Sequence, residues 1–531
     1  MTYRVLIADA IAASGLEPLT QDARFELLTK PGLKGEELAR AIEGMHAVIV
    51  RSGATITRAS LQYADALRVI GRAGVGVDNI DVQAATERGI AVLNAPSGNT
   101  ISAAELAFSL MLSLARRVPA ADRSMKAGEW DRKSYTGTEL LGKTLGLVGA
   151  GRIGSEVARR ARAFGMRVVG YDPFLTPERA LALEIEPASL EDVLAQADVV
   201  SLHIPLTDAT AGLLGEAQLA RMKPGALLVN AARGGVVDEA ALVRALENRR
   251  LGGAALDVFE QEPLPADHPL RAAPNIILTP HLGASTVEAQ QNVAVEIAFA
   301  VRDALLEGDY SRAVNAPAIG GEEARRLRPL MDLAGRLGVL GAELLAEPLS
   351  GVSVRYAGPG ESFMRSLAAS AVAGALRPAV GVGGVNFVNA MHLAAARGIA
   401  VERADLGAHG PYEEFLDVRL RAANGREVRV AGALVAGRHP RIVRIDRYRL
   451  VVRPSGTLLI VRNRDVPGVI GRVGTALGDA GVNIAEYHQA RLQAGGEALA
   501  AVSVDARVSD AALDSLRALP DLVEVRQVVL D

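Results

Sequence analysis

Short apolar runs alternate with amphipathic stretches along the first half of the chain. "RVLIAD", "AVIV" and "RVIGRAG" read as strands, separated by helical stretches in the manner of β–α–β units. Residues 100–117, "TISAAELAFSLMLSLARR", carry apolar side chains without a breaker and predict a helix, with Ser102 and Glu105 near its start. From 143 to 281 the strand–helix alternation resumes through "TLGLVG", "RVVGYD", "DVVSLHI", "ALLVNAA", "GGAALDV" and "NIILTP". A further helix is predicted over 286–307, and "AVNAPAIGG" marks a Pro/Gly boundary near 315–321. Residues 321–450 mix a helix, Gly-rich stretches and late alternating strands; 456–531 read strand, helix, strand, strand, helix, strand.

Composition narrows the classes. At 531 residues the chain is too long for one core, and several domains are expected. A net charge of −3 gives no general pull toward nucleic acid or anionic membrane. The basic residues are 52 Arg and six Lys, so arginine is abundant everywhere and each one needs a positional argument. Without cysteine there is no disulfide, thiolate nucleophile or thiolate-bound metal. "MTYRVLIADA" reads as a first strand rather than a signal, and no apolar run is long enough to span a membrane, so a cytoplasmic location is expected.

The first chemical signal is "LGLVGAGRIGSEVARRARAFGMRVVGYDP". Gly149, Gly151 and Gly154 form G-x-G-x-x-G between a strand and a helix, and Asp172 ends the next strand. Gly149 permits the turn, Gly151 lets backbone approach a pyrophosphate, and Gly154 lets helix and strand pack closely. The helix N-terminus offers N–H groups to the phosphates. Asp172 can bond the ribose hydroxyls and would repel a 2′-phosphate, and "DPFLTPE" offers no arginine to receive one; NAD is expected rather than NADP.

Three later segments suggest a reaction. "VNAARGGVVDEAAL" places Arg233 after a strand, "GAALDVFEQEPL" places Asp257 and Glu262 after the next, and "ILTPHLGAST" places His281 after a third. All lie past the C-terminal ends of predicted parallel strands, where such sheets gather ligands. A guanidinium grips a carboxylate through two parallel hydrogen bonds, and an imidazole takes up a hydroxyl proton as hydride leaves. Together they suit oxidation of a 2-hydroxy acid. His203 of "VVSLHIPL" is the rival base; mid-run between Leu202 and Ile204, it reads as lining the cofactor pocket. His268, in the polar "PADHPL", reads as solvated.

The order G-A-G-R-I-G, "NAARGGVVDE", "GAALDVFEQEP" and "TPHLGAST" resembles the D-isomer-specific 2-hydroxyacid dehydrogenase family. "VIGRAGVGVDNIDVQAATERGIAVLNAPSGNTISAAELAFSLML" resembles most closely the branch acting on D-3-phosphoglycerate, and the likeness runs to about residue 315. It implies an α/β architecture: a Rossmann-type NAD domain, 98–286, inserted in a flavodoxin-like substrate domain, 1–97 plus 287–316. It implies Arg233, Glu262 and His281 as carboxylate clamp, histidine support and acid/base. Arg152, Ile153 and Asp172 would hold phosphates and ribose, Asp257 would lie against the nicotinamide amide, and Val75, Ile204, Pro205, Ala231, Gly283 and Ala284 would complete the cofactor wall. The substrate phosphate would meet Arg51 and Arg72, its carboxylate Arg233 and the 73–76 loop with Gly74 and Val75, and Arg132 of "EWDRKSY" would reach in from a second subunit of a homo-oligomer.

The C-terminal half is similar to an intervening α+β domain, 317–452, followed by a βαββαβ ACT domain, 456–531. That implies feedback by L-serine bound between two chains, with Asn463, Asp465 and Asn483 as its contacts. Asn463 stands where other members carry an aromatic residue or histidine. The basic "GRHPRIVRIDRYR" is equally an anion site or a solvated strand face. Two other functions fit the same motifs: a sister dehydrogenase of glyoxylate, hydroxypyruvate or D-lactate, and a nucleotide-sensing protein that keeps the fold as a scaffold.

Overall fold

A computed structural model describes residues 2–359, 363–381, 383–407 and 412–530. The first sheet has five strands, all parallel, in the order Phe25–Thr29, Tyr3–Ile7, Ala47–Val50, Val69–Arg72, Ala91–Asn94. Ala47–Val50 is apolar and buried at every position, as a parallel strand covered on both faces must be. Part of that cover comes from far along the chain. Helix Val287–Glu307 packs Val293, Ile297 and Val301 into the core of Val69, Ala91 and Leu93. Gly71 permits the approach, since a Cβ there would stand 2.8 Å from Val301 Cγ2.

The second sheet has seven parallel strands, in the order Ile276–Leu278, Gly253–Leu256, Leu227–Asn230, Val199–Leu202, Thr144–Val148, Arg167–Tyr171, Glu186–Pro187. Its order reverses at Thr144–Val148, whose C-terminal end therefore opens onto a crevice. Helix Thr100–Ala115 covers one face, burying Ala104, Ala107, Met111 and Leu114 against Leu145, Leu147, Val229 and Ala255. The helix expected over 100–117 stops at Ala115. Pro119 cannot extend the preceding turn, so Arg117 swings to φ 55° and a second helix, Val118–Lys126, begins.

Beyond residue 320, helices Gly321–Leu345 and Met364–Val380 cross closely, where a Cβ on Gly374 would lie 1.9 Å from Gly335 O. They cover a six-stranded sheet that is antiparallel except for its edge pair, Leu349–Ala357 with Ala400–Asp405. The last sheet is antiparallel, ordered Ile484–Arg491, Glu497–Val504, Thr457–Arg464, Leu522–Val529, with helices Val469–Asp479 and Asp510–Arg517 placed as a βαββαβ unit. Leu458, Ile460, Leu499 and Val528 join the core of the preceding helices, so these two layers are one packing unit. That unit is anchored to the first sheet: Val388 enters its core, and Asn386 donates to Gly89 O at 2.8 Å. Within the basic stretch, Arg444 faces Arg449 across the ladder. Among the described residues no helix is long and apolar enough to cross a membrane, and no group of three His, Asp or Glu is placed to hold a metal ion.

Candidate active site

The glycine turn lies at the crevice of the second sheet. A Cβ on Gly149 would stand 2.5 Å from His203 O, and one on Gly154 2.0 Å from Gly149 O, so both are fixed as glycine by backbone contact. A Cβ on Gly151 would meet nothing within 4 Å: the space over this turn is open. Gly151 caps helix Arg152–Ala163 without a side-chain bond, leaving N–H groups directed at that space. Asp172 accepts from Ala150 N and Phe174 N, each at 2.8 Å, which places its carboxylate beside the turn. An open cradle, a bare helix N-terminus and an acid at the second strand end suit a dinucleotide. Ile204 Cγ2 would stand 2.8 Å from a Gly149 Cβ, and Ile153 packs under the turn from the helix side.

The nicotinamide end of such a ligand would run toward Asp257, at the end of strand Gly253–Leu256. Its carboxylate is fully buried and organises the following loop. Oδ1 accepts from Thr279 Oγ1 at 2.6 Å and Leu282 N at 2.7 Å, and Oδ2 from Gly283 N at 2.9 Å. Burial pushes the Asp257 carboxyl up, and these donors oppose it. The loop so held turns His281 to φ 56° and sends its ring to Glu262. Nδ1 of His281 lies 2.7 Å from Glu262 Oε2. Burial raises the Glu262 carboxyl, but His281, Phe259 N and Arg233 outweigh it and hold the group below its usual value. An ionised carboxylate only accepts, so Nδ1 carries the proton and Nε2 is left for another partner.

Opposite this pair, three guanidiniums converge from two sheets. Asn230 folds the turn that presents Arg233, donating to Arg233 O at 2.9 Å and accepting from Ala232 N at 3.0 Å. Arg233 crosses to the first sheet, where its Nε is 3.2 Å from Asp78. It lies so close to Gly76 that a Cβ there would stand 2.1 Å from Nη2. Arg72 folds over Gly74, whose φ of 150° admits the guanidinium 1.6 Å from where a Cβ would be. Arg72 Nε is buried with no partner. Burial, then Arg233 and Arg51, push Arg72 down to about 10, with Asp78 and Asp9 acting the other way. It remains a cation near neutral pH, with a buried donor that lacks an acceptor. Arg51, next to Asp9 through its own N–H at 2.5 Å, reaches across to Ala284 O at 3.5 Å. Val75 is held from behind by Asn94, which donates to its carbonyl at 2.7 Å.

The remaining candidates fall into two groups, some at the crevice wall and some away from it. His203 turns into the sheet, its Nε2 2.9 Å from Ser201 Oγ, and burial pushes it down to about 4; it is a neutral wall, not a competing base. Pro205 and Ala231 flank the crevice at the ends of Val199–Leu202 and Leu227–Asn230. Arg132 is exposed on the segment that follows helix Val118–Lys126 and makes no ion pair with the described residues of this chain. An arginine does approach the Asp172 turn: Arg179 Nη2 lies 3.3 Å from Ala150 O, brought back by the short helix Pro177–Leu183. Asn463, Asp465 and Asn483 do not converge. Asn463 and Asp465 lead into helix Val469–Asp479 and Asn483 follows its far end, so one chain holds them at opposite ends of the ladder. Asp465 is already bonded to Arg491 Nη1 at 2.8 Å, and Asn483 to Asp505 at 2.7 Å. His268 is paired with Glu239 rather than solvated. Sequence reading also gave no role to the first turn of helix Thr100–Ala115. Asn99 Oδ1, Thr100 Oγ1 and Ser102 Oγ are buried there without partners, and Ala103 Cβ is 3.9 Å from a Cβ built on Gly283. Small polar residues at a helix start look like caps in a sequence, although Asn99 makes no side-chain cap bond here.

The chain is similar to known proteins along nearly all of its length. Residues 108–283 match the NAD binding domain of D-isomer specific 2-hydroxyacid dehydrogenases, 326–446 the D-3-phosphoglycerate dehydrogenase intervening domain, and 457–521 the ACT domain. D-3-phosphoglycerate dehydrogenase of Bacillus subtilis is 41% identical over 529 residues, covering 99% of this chain and 100% of the relative. The enzyme of Methanocaldococcus jannaschii is 39% identical over 528 residues, with 99% and 100% covered. Among solved structures, the TT0316 protein of Thermus thermophilus superposes with a TM-score of 0.53 at 40% identity, covering 59% of this chain and 99% of that one. A glyoxylate reductase from Paecilomyes thermophila gives 0.52 at 33% identity, covering 59% and 98%. The glycine cradle, the His281–Glu262 pair and the arginines facing them thus sit on a chain that belongs, over its whole length, to the D-3-phosphoglycerate dehydrogenases of the D-isomer-specific 2-hydroxyacid dehydrogenase family.

Proposed function

We infer that the chain oxidises C2 of D-3-phosphoglycerate to the 2-oxo acid, with NAD as hydride acceptor. The observation that carries this reading is the triple guanidinium cluster facing the His281–Glu262 pair. A substrate with a carboxylate at one end and a phosphate at the other needs cations at both. Arg233 takes the carboxylate in paired hydrogen bonds, helped by N–H groups of the 73–76 loop. Arg72 and Arg51 take the phosphate, and Arg72 Nε gains the acceptor it lacks. The substrate hydroxyl then faces His281 Nε2, which removes its proton as the C2 hydrogen departs as hydride. Glu262 accepts from Nδ1 and stabilises the imidazolium formed. The Gly149–Gly154 turn, Asp172 at the ribose, and Asp257, Ala231 and Gly283 at the amide end would hold NAD, which would supply the hydride acceptor. The contact of Arg51 with Ala284, between the two sheets, supports closure of the crevice and exclusion of water.

We also propose a cytoplasmic homo-oligomer. Val118 and Met125 of helix Val118–Lys126 and Trp130 just after it are exposed apolar side chains close in sequence, suited to meeting a second copy. L-serine is the proposed effector, held between ACT domains of two chains, because one chain keeps Asp465 and Asn483 at opposite ends of the ladder. The function is tested with Arg72→Ala and Arg51→Ala. Each charge-assisted contact is worth about 1.5–3 kcal/mol, so KM for phosphoglycerate should rise by roughly 10–10². Reduction of small unphosphorylated 2-oxo acids should persist. Equal losses on both substrates, or equal kcat/KM for both in the parent enzyme, would favour a sister dehydrogenase; no turnover with any acid would leave a nucleotide-binding protein.

A further inference from the structure

Glu239 is a buried acid that the chemistry above does not use. It is the first residue of helix Glu239–Glu247, one position after the Asp238 cap, and only 7% exposed. Its Oε1 accepts the N–H of Glu260 at 2.8 Å, and its Oε2 lies 3.3 Å from His268 Nε2. His268 Nδ1 accepts from Leu270 N at 3.3 Å, so the ring proton is on Nε2, the nitrogen nearer Glu239. Burial pushes the Glu239 carboxyl up. Glu260 N–H and His268 draw it down, while the charges of Glu260 and Glu262 push it further up. An acid confined beside two others costs stability, so what it gives must be sought in position.

The position is that of the Phe259–Glu262 turn, which carries the carboxylate orienting His281. Glu262 Oε1 accepts from Phe259 N at 3.1 Å, and Glu239 holds the next N–H. Beneath the turn runs the Arg233 loop in backbone contact: a Cβ on Gly234 would stand 1.8 Å from Phe259 O. Beyond it, Arg271 of the short helix that His268 caps donates to Pro265 O and Leu264 O, each at 2.8 Å. Three segments meet at one carboxylate. We propose that Glu239 and His268 are a positioning pair that joins the Arg233 loop, the Glu262 turn and the His268 loop, and so sets the acid/base pair in register with the carboxylate clamp. The pair acts through Glu262. The proposal rests on His281, Glu262 and Arg233 being the reacting set.

The test follows kcat/KM for phosphoglycerate oxidation against pH in the parent enzyme, Glu239→Ala, Glu239→Gln, His268→Ala and Glu262→Gln, with thermal melting and NADH binding alongside. An imidazole that loses its carboxylate partner gives up its proton more readily, so the acid limb moves to lower pH. Glu262→Gln sets the reference for that movement. Glu239→Ala should move the limb the same way and lower kcat by about 10–10², the cost of a misplacement near 1 Å, with NADH affinity retained. His268→Ala should do the same in smaller measure. Glu239→Gln keeps an oxygen for Glu260 N–H and should recover most of the rate. A lower melting temperature with the limb in place, or Gln no better than Ala, would overturn the proposal. If Glu262→Gln itself leaves the limb unmoved, the reacting set is misassigned and the pair falls with it.

Discussion

Gly76→Ala should cripple turnover while leaving the fold almost untouched. Gly76 is not in the left-handed region, so an alanine costs it no backbone strain. The added methyl would stand 2.1 Å from Arg233 Nη2, 2.6 Å from Asp78 Oδ2 and 2.9 Å from Arg233 Cζ. Ordinary contact begins near 3.4 Å, so the guanidinium has to retreat by about 1 Å or more. Retreat is cheap in stability, because the moving group is the far end of a partly exposed side chain and its ion pair with Asp78 is exposed on the acid side. It is costly for chemistry, since a clamp displaced by about 1 Å can lose roughly 10² in rate. Steady-state oxidation of phosphoglycerate should therefore show kcat/KM down by about 10², with NADH binding by fluorescence and the melting temperature near those of the parent. Unchanged kcat/KM would mean that Arg233 does not hold the substrate from this position. A parallel loss of NADH affinity would mean that the methyl disturbs the crevice as a whole.

His281→Ala should lower kcat by about 10²–10⁴ in single-turnover assays with NADH binding retained; a variant that keeps most of its turnover would make water or another group the base. In the parent enzyme NADPH should be a much poorer cofactor than NADH. Asp172→Ala should narrow that gap because Arg179 already stands beside the turn, and Arg179→Ala in that background should restore it; comparable kcat/KM for both cofactors in the parent would refute the role given to Asp172. Calorimetry with L-serine should show binding to the oligomer that Asn483→Ala removes without altering basal rate, and neither heat nor inhibition at millimolar serine would leave the ACT domain without this effector.

What the sequence determined by itself was everything fixed locally along the chain. The strand–helix alternation, the glycine turn with its acid, and the Arg233, Glu262 and His281 segments follow from apolar periodicity and from side-chain chemistry at strand ends, and each lies where its segment leaves a parallel strand. Contacts between distant segments were decided only in three dimensions. No spacing shows that Arg72 and Arg51 would crowd Arg233, or that Gly76 is glycine because a guanidinium from the second sheet lies on it. Arg179 was one residue outside the stretch "DPFLTPE" and came back to Ala150 through a helical turn. His268 looked like a loop residue because its partner, Glu239, is nearly thirty positions earlier and belongs to a helix start. Asn463 and Asn483 share a motif-bearing segment, yet the helix between them carries them to opposite ends of the sheet. Periodicity records which face of an element meets the core, whereas charge clusters and shared carboxylates arise from loops whose meeting depends on how whole sheets and helices pack.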